Sequence, residues 1–352
     1  MAIELRRDTA TRPTKEMRER AFEAPLGDSV YGEDPDQAAL EEEGAALLGK
    51  EAALYVPSGT MGNLIALLAQ TERGDEIILE ESAHIRTSET GGAACVGGLM
   101  LKSIPGLEGY PDPNQVQAAI KKPDIHHPNI TLICLESTHY RYGGIVPPLE
   151  GMAAVRDIAV EKGIPVHLDG ARLFHSAIYL EVEAREIAAF ADTVMISLSK
   201  ALAAPVGALL AGPRKVIEKA DRYRKMLGGG MRQTGWLCAC GRTALTEKNI
   251  ERLKKDHANA RRLGIGLNAL PLFSVDLEKT QTNFVLAKIA KGTAVTNGAT
   301  ASDIVSAFKK RGVLVTPAGS DTLRFVFSRE VNEEMTERVI EAAVEISEEF
   351  VP

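Results

Sequence analysis

Between about residue 50 and residue 212, short apolar runs alternate with stretches in which apolar residues recur at helical spacing. AALYVPSG, EIILEE, TLICLES, IPVHLDG and DTVMISLSK are predicted strands, and MGNLIALLAQTE, PNQVQAAIKK, PLEGMAAVRDIAVEKG and AREIAAFA are predicted helices. That alternation predicts βα units and a mostly parallel sheet covered on both faces. The charge-poor stretch from Thr193 to Gly212 has the length of a membrane span, yet it holds Lys200, Pro205, Gly207 and several small residues. It predicts buried strands, and no membrane partner is expected.

After Gly230 the texture changes. The segment from Met231 to Leu270 predicts one or two long helices, followed by the strand TNFVLAKI, the helix SDIVSAFKKRG, the strand TLRFVFS and a last helix NEEMTERVIEAAVEISEEF. The expected fold class is therefore α/β. A large domain over 1–240, which includes the N-terminal segment, is followed by a smaller C-terminal α+β domain over 241–352. KGTAVTNGATAS, rich in Gly, Thr, Ala and Ser, predicts a mobile surface loop. No internal repeat or low-complexity tail interrupts this order.

Composition narrows the function. At 352 residues and 45% hydrophobic, the chain can bury two cores, and disorder is excluded. With 41 Lys+Arg against 48 Asp+Glu, a formal charge of −7 and no basic run interleaved with aromatics, nucleic acid is not an expected partner. The segment MAIELRRDTATRPTKEMRER is charged from residue 4 onward and has no apolar core, so no secretory signal is predicted. Cys95, Cys134, Cys238 and Cys240 fit neither a disulfide framework nor a four-cysteine zinc site, which points to a reduced, cytoplasmic protein.

Lys200 is the one charged side chain between Asp192 and Arg214. Desolvation disfavours an ammonium there unless it is paired, neutralised or made covalent, and a Schiff base removes the cost. Alone, the residue also reads as a lysine snorkelling from a strand end. Asp169, in H-L-D-G-A-R, ends the preceding apolar strand, and in open α/β sheets the carboxyl ends of strands face the ligand crevice. A carboxylate and a lysine facing one ligand suit pyridoxal 5'-phosphate: the acid pairs with the pyridine nitrogen and the amine holds the aldehyde. Alone, Asp169 equally caps a helix or pairs with Arg172. Ser58, Gly59 and Thr60 lie between a strand and a helix, where backbone N–H groups and the helix dipole attract a phosphate, although an ordinary N-cap has the same signature. G-x-G-x-x-G and G-x-x-x-x-G-K-[ST] are both absent. His84 follows a strand at the same edge and is placed to lie over a planar ring. His139 and Arg141 follow another strand, and His126 and His127 sit in a loop before Pro128. Without H-E-x-x-H or paired C-x-x-C, no metal site is expected.

Taken together, L-R-R-D-T-A-T-R-P-T, V-Y-G-E-D-P, L-G-K-E-A-A-L-Y-V-P-S-G-T-M-G-N, H-L-D-G-A-R-L-F, L-S-K-A-L-A-A-P-V-G and R-K-M-L-G-G-G-M-R-Q resemble the pyridoxal-phosphate-dependent threonine aldolases of the β-eliminating lyase group, over residues 4 to 330. The resemblance implies the fold type I aminotransferase architecture. It also implies a homotetramer, or a dimer, with sites shared between subunits. Lys200 becomes the Schiff-base lysine, Asp169 the pyridine-nitrogen partner and His84 the ring-stacking histidine. Gly59 and Thr60 would hold phosphate beside Ser58, and Arg232 would reach a neighbour's phosphate. Arg172 and Arg324 match arginines that bind the substrate carboxylate, Tyr31 and His126 match residues lining the pocket, and Glu89 falls on an acidic position of the family. The implied reaction is aldol cleavage of a 3-hydroxy-α-amino acid to glycine and an aldehyde, with His84, or a water held by His126, as base.

Departures from the family pattern gather near the expected pocket. Arg7 replaces a serine, Ser137 and Tyr140 replace two asparagines, His175 replaces a third, Ala201 replaces a glycine, and Phe327-Ser328 replaces a Thr-His pair. Arg7 offers a bidentate grip on a carboxylate that serine lacks, and Tyr140 joins it as an expected substrate-binding residue. Two alternatives stay open: another reaction of the same cofactor, such as β-elimination, racemisation or transamination, and a cofactor-binding scaffold without turnover.

Overall fold

The computed structural model describes residues 2–107, 109–121, 124–290 and 300–351. The chain divides into two compact units, Pro13–Tyr142 with Val146–Ile250, and Met1–Arg12 with Gly143–Ile145 and Glu251–Pro352.

The larger unit is built on a seven-stranded sheet. Its strands are β1 (Ala52–Val56), β2 (Glu76–Glu80), β3 (Met100–Ile104), β4 (Ile130–Glu136), β5 (Val166–Asp169), β6 (Thr193–Ser197) and β7 (Ala208–Gly212), in the spatial order β1-β7-β6-β5-β4-β2-β3. Strand β7 runs antiparallel to β1 and β6, and every other adjacent pair is parallel. Six strands thus point one way and bring their carboxyl ends to one edge. All residues of β5, β6 and β7 are buried, as the apolar runs predict for central strands covered on both faces.

Strand β3 escaped the sequence pattern because it is an edge strand: MLKSI is partly exposed along most of its length. Two N-terminal helices, α1 (Lys15–Glu23) and α2 (Pro35–Leu47), were not predicted either. Local chemistry accounts for both. The Thr14 side chain accepts from the Met17 N–H, Asp34 accepts from the Gln37 N–H, and Pro35 opens α2 where its missing N–H costs nothing. After Gly230, the expected one or two long helices are three: Gly235–Ala244, Glu247–Glu251 and Leu253–Asn268.

Helix α3 (Gly59–Gln70) follows β1 and buries Gly62, Asn63, Ile65, Ala66, Leu67 and Ala69. At the start of β7, Gly207 has φ +104, and a Cβ there would meet the ring and hydroxyl of buried Tyr55 at 2.4–2.7 Å. Gly207→Ala is therefore expected to destabilise the fold by about 2 to 4 kcal/mol, from backbone strain plus overpacking. Denaturant unfolding measures the loss, and an unchanged midpoint would show that Tyr55 yields freely.

The smaller unit carries a four-stranded antiparallel sheet of β8 (Phe273–Val275), β9 (Phe284–Ile289), β10 (Thr316–Pro317) and β11 (Thr322–Val326), in the order β8-β9-β11-β10. Leu263, Phe308, Phe325 and Val339 bury its helices against the sheet. The first twelve residues belong to this unit and not to the larger one, where the sequence reading kept them. Ile3–Glu4 pairs in parallel with Val313–Leu314, and Ile3 and Leu5 enter the same core. The expected boundary at residue 240 moves accordingly to 250. Of the expected mobile loop KGTAVTNGATAS, residues 291–299 lie outside the described residues, while Thr300 caps the helix Ala301–Lys310 through its side chain and Asp303.

Candidate active site

The parallel strands place the chemistry. Lys200 comes three residues after β6, Asp169 ends β5, Glu136 ends β4, His84 follows β2, and Ser58 follows β1, so all five reach the shared carboxyl edge of the larger unit.

Asp169 is 2% exposed and its two oxygens have different partners. Oδ1 accepts from the Ala171 N–H at 3.1 Å, and Oδ2 accepts from the Asn63 side-chain amide at 2.9 Å. The same amide nitrogen donates to Glu89 Oε1 at 2.8 Å, and that oxygen lies 2.9 Å from His84 Nδ1. His84, Glu89 and Asp169 bring their polar atoms within 4.8 Å of one another. Although burial opposes a charge on His84, its hydrogen bond to Glu89 and the negative charges of Asp169, Glu89 and Glu136 hold its pKa above the ordinary 6.5. Burial pushes the Glu89 carboxyl up, against the His84 hydrogen bond.

Glu136 clamps two more backbones. Its Oε2 accepts from the His84 N–H at 2.7 Å and its Oε1 from the Tyr140 N–H at 2.8 Å. The Tyr140 ring consequently stands edge-on to His84, with centroids 6.1 Å apart. The Arg172 guanidinium carbon sits 5.5 Å from the Tyr140 centroid, a cation–π distance. Arg172 itself is buried, at the start of the helix Leu173–Leu180. Ser137 and Ser176 share a buried 2.7 Å hydrogen bond.

At the phosphate candidate, Ser58 is the N-cap of α3 and its Oγ accepts from the Met61 N–H at 3.2 Å, while its carbonyl accepts from Gly62. The N–H groups of Gly59 and Thr60 open the helix ahead of these bonds, where no intrahelical acceptor exists. An anion fits there. A buried carboxylate for a pyridine nitrogen, an amine for an aldehyde and a helix start for a phosphate form a donor set that suits pyridoxal phosphate.

Not every expected residue joins this cluster. His126 is exposed in a loop held by Asp124, and it precedes β4, whereas Glu136 ends it. A seven-residue strand spans roughly 20 Å, so within one chain His126 stands at the opposite edge of the sheet. Tyr31 is 78% exposed in the 3-10 turn Ser29–Tyr31, which is tied to Arg232 because the Ser29 N–H donates to the Arg232 carbonyl. Arg232 pairs with Asp28 at 3.5 Å. Arg7 and Arg324 belong to the smaller unit, Arg324 on β11 opposite Leu286 of β9. Sequence reasoning missed Asn63 and the clamping role of Glu136. One signal for Asn63 was available: it is the lone polar side chain between Gly62 and Gln70 on an otherwise apolar helix.

A model of the family described as beta-eliminating lyase matches residues 4–290. The chain is also 40% identical to low-specificity L-threonine aldolase 1 of Arabidopsis thaliana over 334 residues, covering 94% of this chain and 92% of that one. The chain belongs to the beta-eliminating lyase family. Within it, the low specificity L-threonine aldolase of Escherichia coli is 38% identical over 338 residues, with 96% of this chain and 97% of the other covered. A solved threonine aldolase of Leishmania major superposes with a TM-score of 0.83 at 19% identity, over 98% of this chain and 99% of that one, and has the same fold. The resemblance drawn from the motifs and the fold type I architecture are both borne out.

Proposed function

We propose that this member of the beta-eliminating lyase family is a pyridoxal-phosphate-dependent threonine aldolase that cleaves a 3-hydroxy-α-amino acid to glycine and an aldehyde. The observation that carries the reading is the meeting of Lys200, Asp169 and the start of α3 at one sheet edge, in a chain 38–40% identical to low-specificity L-threonine aldolases. The cofactor, when bound, supplies an electron sink for the bond broken at Cα.

The protein's own residues do the rest. Lys200 holds the aldehyde, Asp169 the ring nitrogen, and the N–H groups of Gly59 and Thr60 with Ser58 hold the phosphate. Arg172, buried and backed by Tyr140, grips the substrate carboxylate and so orients the Cα–Cβ bond. His84 is the base. With Nδ1 against Glu89, its Nε2 carries the lone pair that takes the β-hydroxyl proton. Tyr31 and Arg232, exposed in one chain, and His126, at the far edge, support a homotetramer, or a dimer, with sites shared between copies. Four free cysteines support a cytoplasmic setting. Among the described residues no helix is long and apolar enough to cross a membrane.

The test is to incubate the cofactor-loaded protein with L-threonine, L-allo-threonine, both phenylserine diastereomers and their D counterparts. Equimolar glycine and aldehyde from at least one of them is the expected result. Ammonia with a keto acid would replace the reading by β-elimination.

A pH dependence follows from the raised His84 pKa. The proton must leave before Nε2 can act as a base, so kcat/KM is expected to rise with pH through a limb above 6.5. Glu89→Gln removes the partner that holds the proton, and the limb moves to lower pH. The pH–rate profile of glycine release checks this; an unmoved limb would assign the titration to another group.

A further inference from the structure

Beneath Asp169 a chain of buried polar side chains runs through the larger unit with no break in direction. His167 and Asp169 lie two positions apart on β5 and therefore on one face, and Asn63 of α3 bridges them. Asn63 and His167 are both fully buried.

The direction of each bond follows from its neighbours. Glu89 and Asp169 are buried carboxylates that need donors, so the Asn63 amide must present its nitrogen to them, at 2.8 and 2.9 Å. Its oxygen then faces His167 Nε2 at 3.1 Å, so Nε2 carries a hydrogen. Burial pushes the His167 pKa down to about 4, and the ring is neutral. Nδ1 is consequently bare and accepts from the Thr193 hydroxyl at 2.9 Å. That hydroxyl oxygen accepts in turn from Gln70 Nε2 at 3.0 Å, whose other hydrogen goes to the Ala66 carbonyl at 2.9 Å. Reversing the Asn63 amide would set an oxygen against two carboxylates and leave both without that donor.

We infer that His167 is a positioning residue for the cofactor: acting through Asn63, it holds the Asp169 carboxylate aimed at the pyridine nitrogen. The inference rests on the cofactor reading of Asp169 and adds a residue that touches neither cofactor nor substrate. Were the Asn63 amide free to turn, its oxygen would face Asp169 Oδ2 and Glu89 Oε1, and the donors left to the pair, the Ala171 N–H and His84 Nδ1, would hold the Asp169 carboxylate less firmly against the ring nitrogen.

Isosteres of histidine separate this role from mere packing. Glutamine puts an amide N–H near the place of Nε2, asparagine near that of Nδ1 only. Pyridoxal phosphate labelled with ¹⁵N in the ring is loaded into wild type, His167→Gln, His167→Asn and Thr193→Val, and the nitrogen shift is read together with kcat and KM for L-threonine. In wild type and His167→Gln the expected shift is that of a protonated ring nitrogen. In His167→Asn the shift moves toward the unprotonated value and kcat falls about 10- to 100-fold, with KM within about twofold. Thr193→Val removes one hydroxyl without changing shape, and a smaller move in the same direction is expected. A wild-type shift and kcat in His167→Asn overturn the inference. If that variant does not fold, an unchanged Thr193→Val overturns it equally. Failure of the cofactor reading is distinguishable, because wild type itself would then give no bound-cofactor signal.

Discussion

Lys200→Ala is expected to lose the visible absorbance of lysine-bound pyridoxal phosphate and to release glycine from L-threonine on the order of 10⁴-fold more slowly, or worse. The lysine stands half-buried after β6 in a turn closed by its own carbonyl, which accepts from the Ala203 N–H at 2.9 Å. The turn is backbone-made, so removing the side chain leaves it intact. Thermal stability of the cofactor-free protein is accordingly expected to stay near that of wild type, because the change leaves the backbone-closed turn in place. The two readings must separate: activity gone, fold kept. Near-normal glycine release with no covalent cofactor would mean that Lys200 is structural.

Asp169→Asn is the second large effect. The substitution keeps size and removes charge. Both oxygens of Asp169 accept from protein donors, Ala171 and Asn63, so an amide nitrogen placed there must face one of those donors and break a buried hydrogen bond. It also cannot keep a ring nitrogen protonated. We expect kcat to fall by roughly 10² to 10³-fold, the range seen when one preorganised electrostatic partner is removed, and cofactor affinity to weaken. Cofactor titration of the stripped protein followed by steady-state rates checks both. An unchanged kcat would refute the pairing with the ring nitrogen.

The sequence reached the site through residues out of keeping with their surroundings. Lys200 in a charge-free stretch and Asp169 at a strand end were legible because burial makes a charge conspicuous. The strands themselves were legible where both faces are buried, as in β4 to β7, and illegible in β3, where edge exposure dilutes the apolar run. What binds the cluster together was not legible. Asn63, on the helix that follows β1, meets Asp169 across 106 positions of sequence, and Glu136 meets His84 across 52, because parallel strands and the helices packed on them bring distant segments together. Spacing carries no trace of such neighbours. Tyr140 was legible as a departure from the family pattern and so as a candidate substrate-binding residue, but its ring contacts with His84 and Arg172 were not. His126 illustrates the converse: a motif match fixes a residue type, while the position of β4 decides which edge of the sheet it occupies.

The central claim is that Lys200 carries pyridoxal phosphate at the carboxyl edge of the larger sheet. Borohydride reduction of the loaded protein, followed by proteolysis and mass mapping, tests it most directly. The account predicts a pyridoxyl-phosphate adduct on the peptide spanning Lys200, lost in Lys200→Ala. An adduct on another lysine, or none in a protein that still cleaves L-threonine, would contradict it.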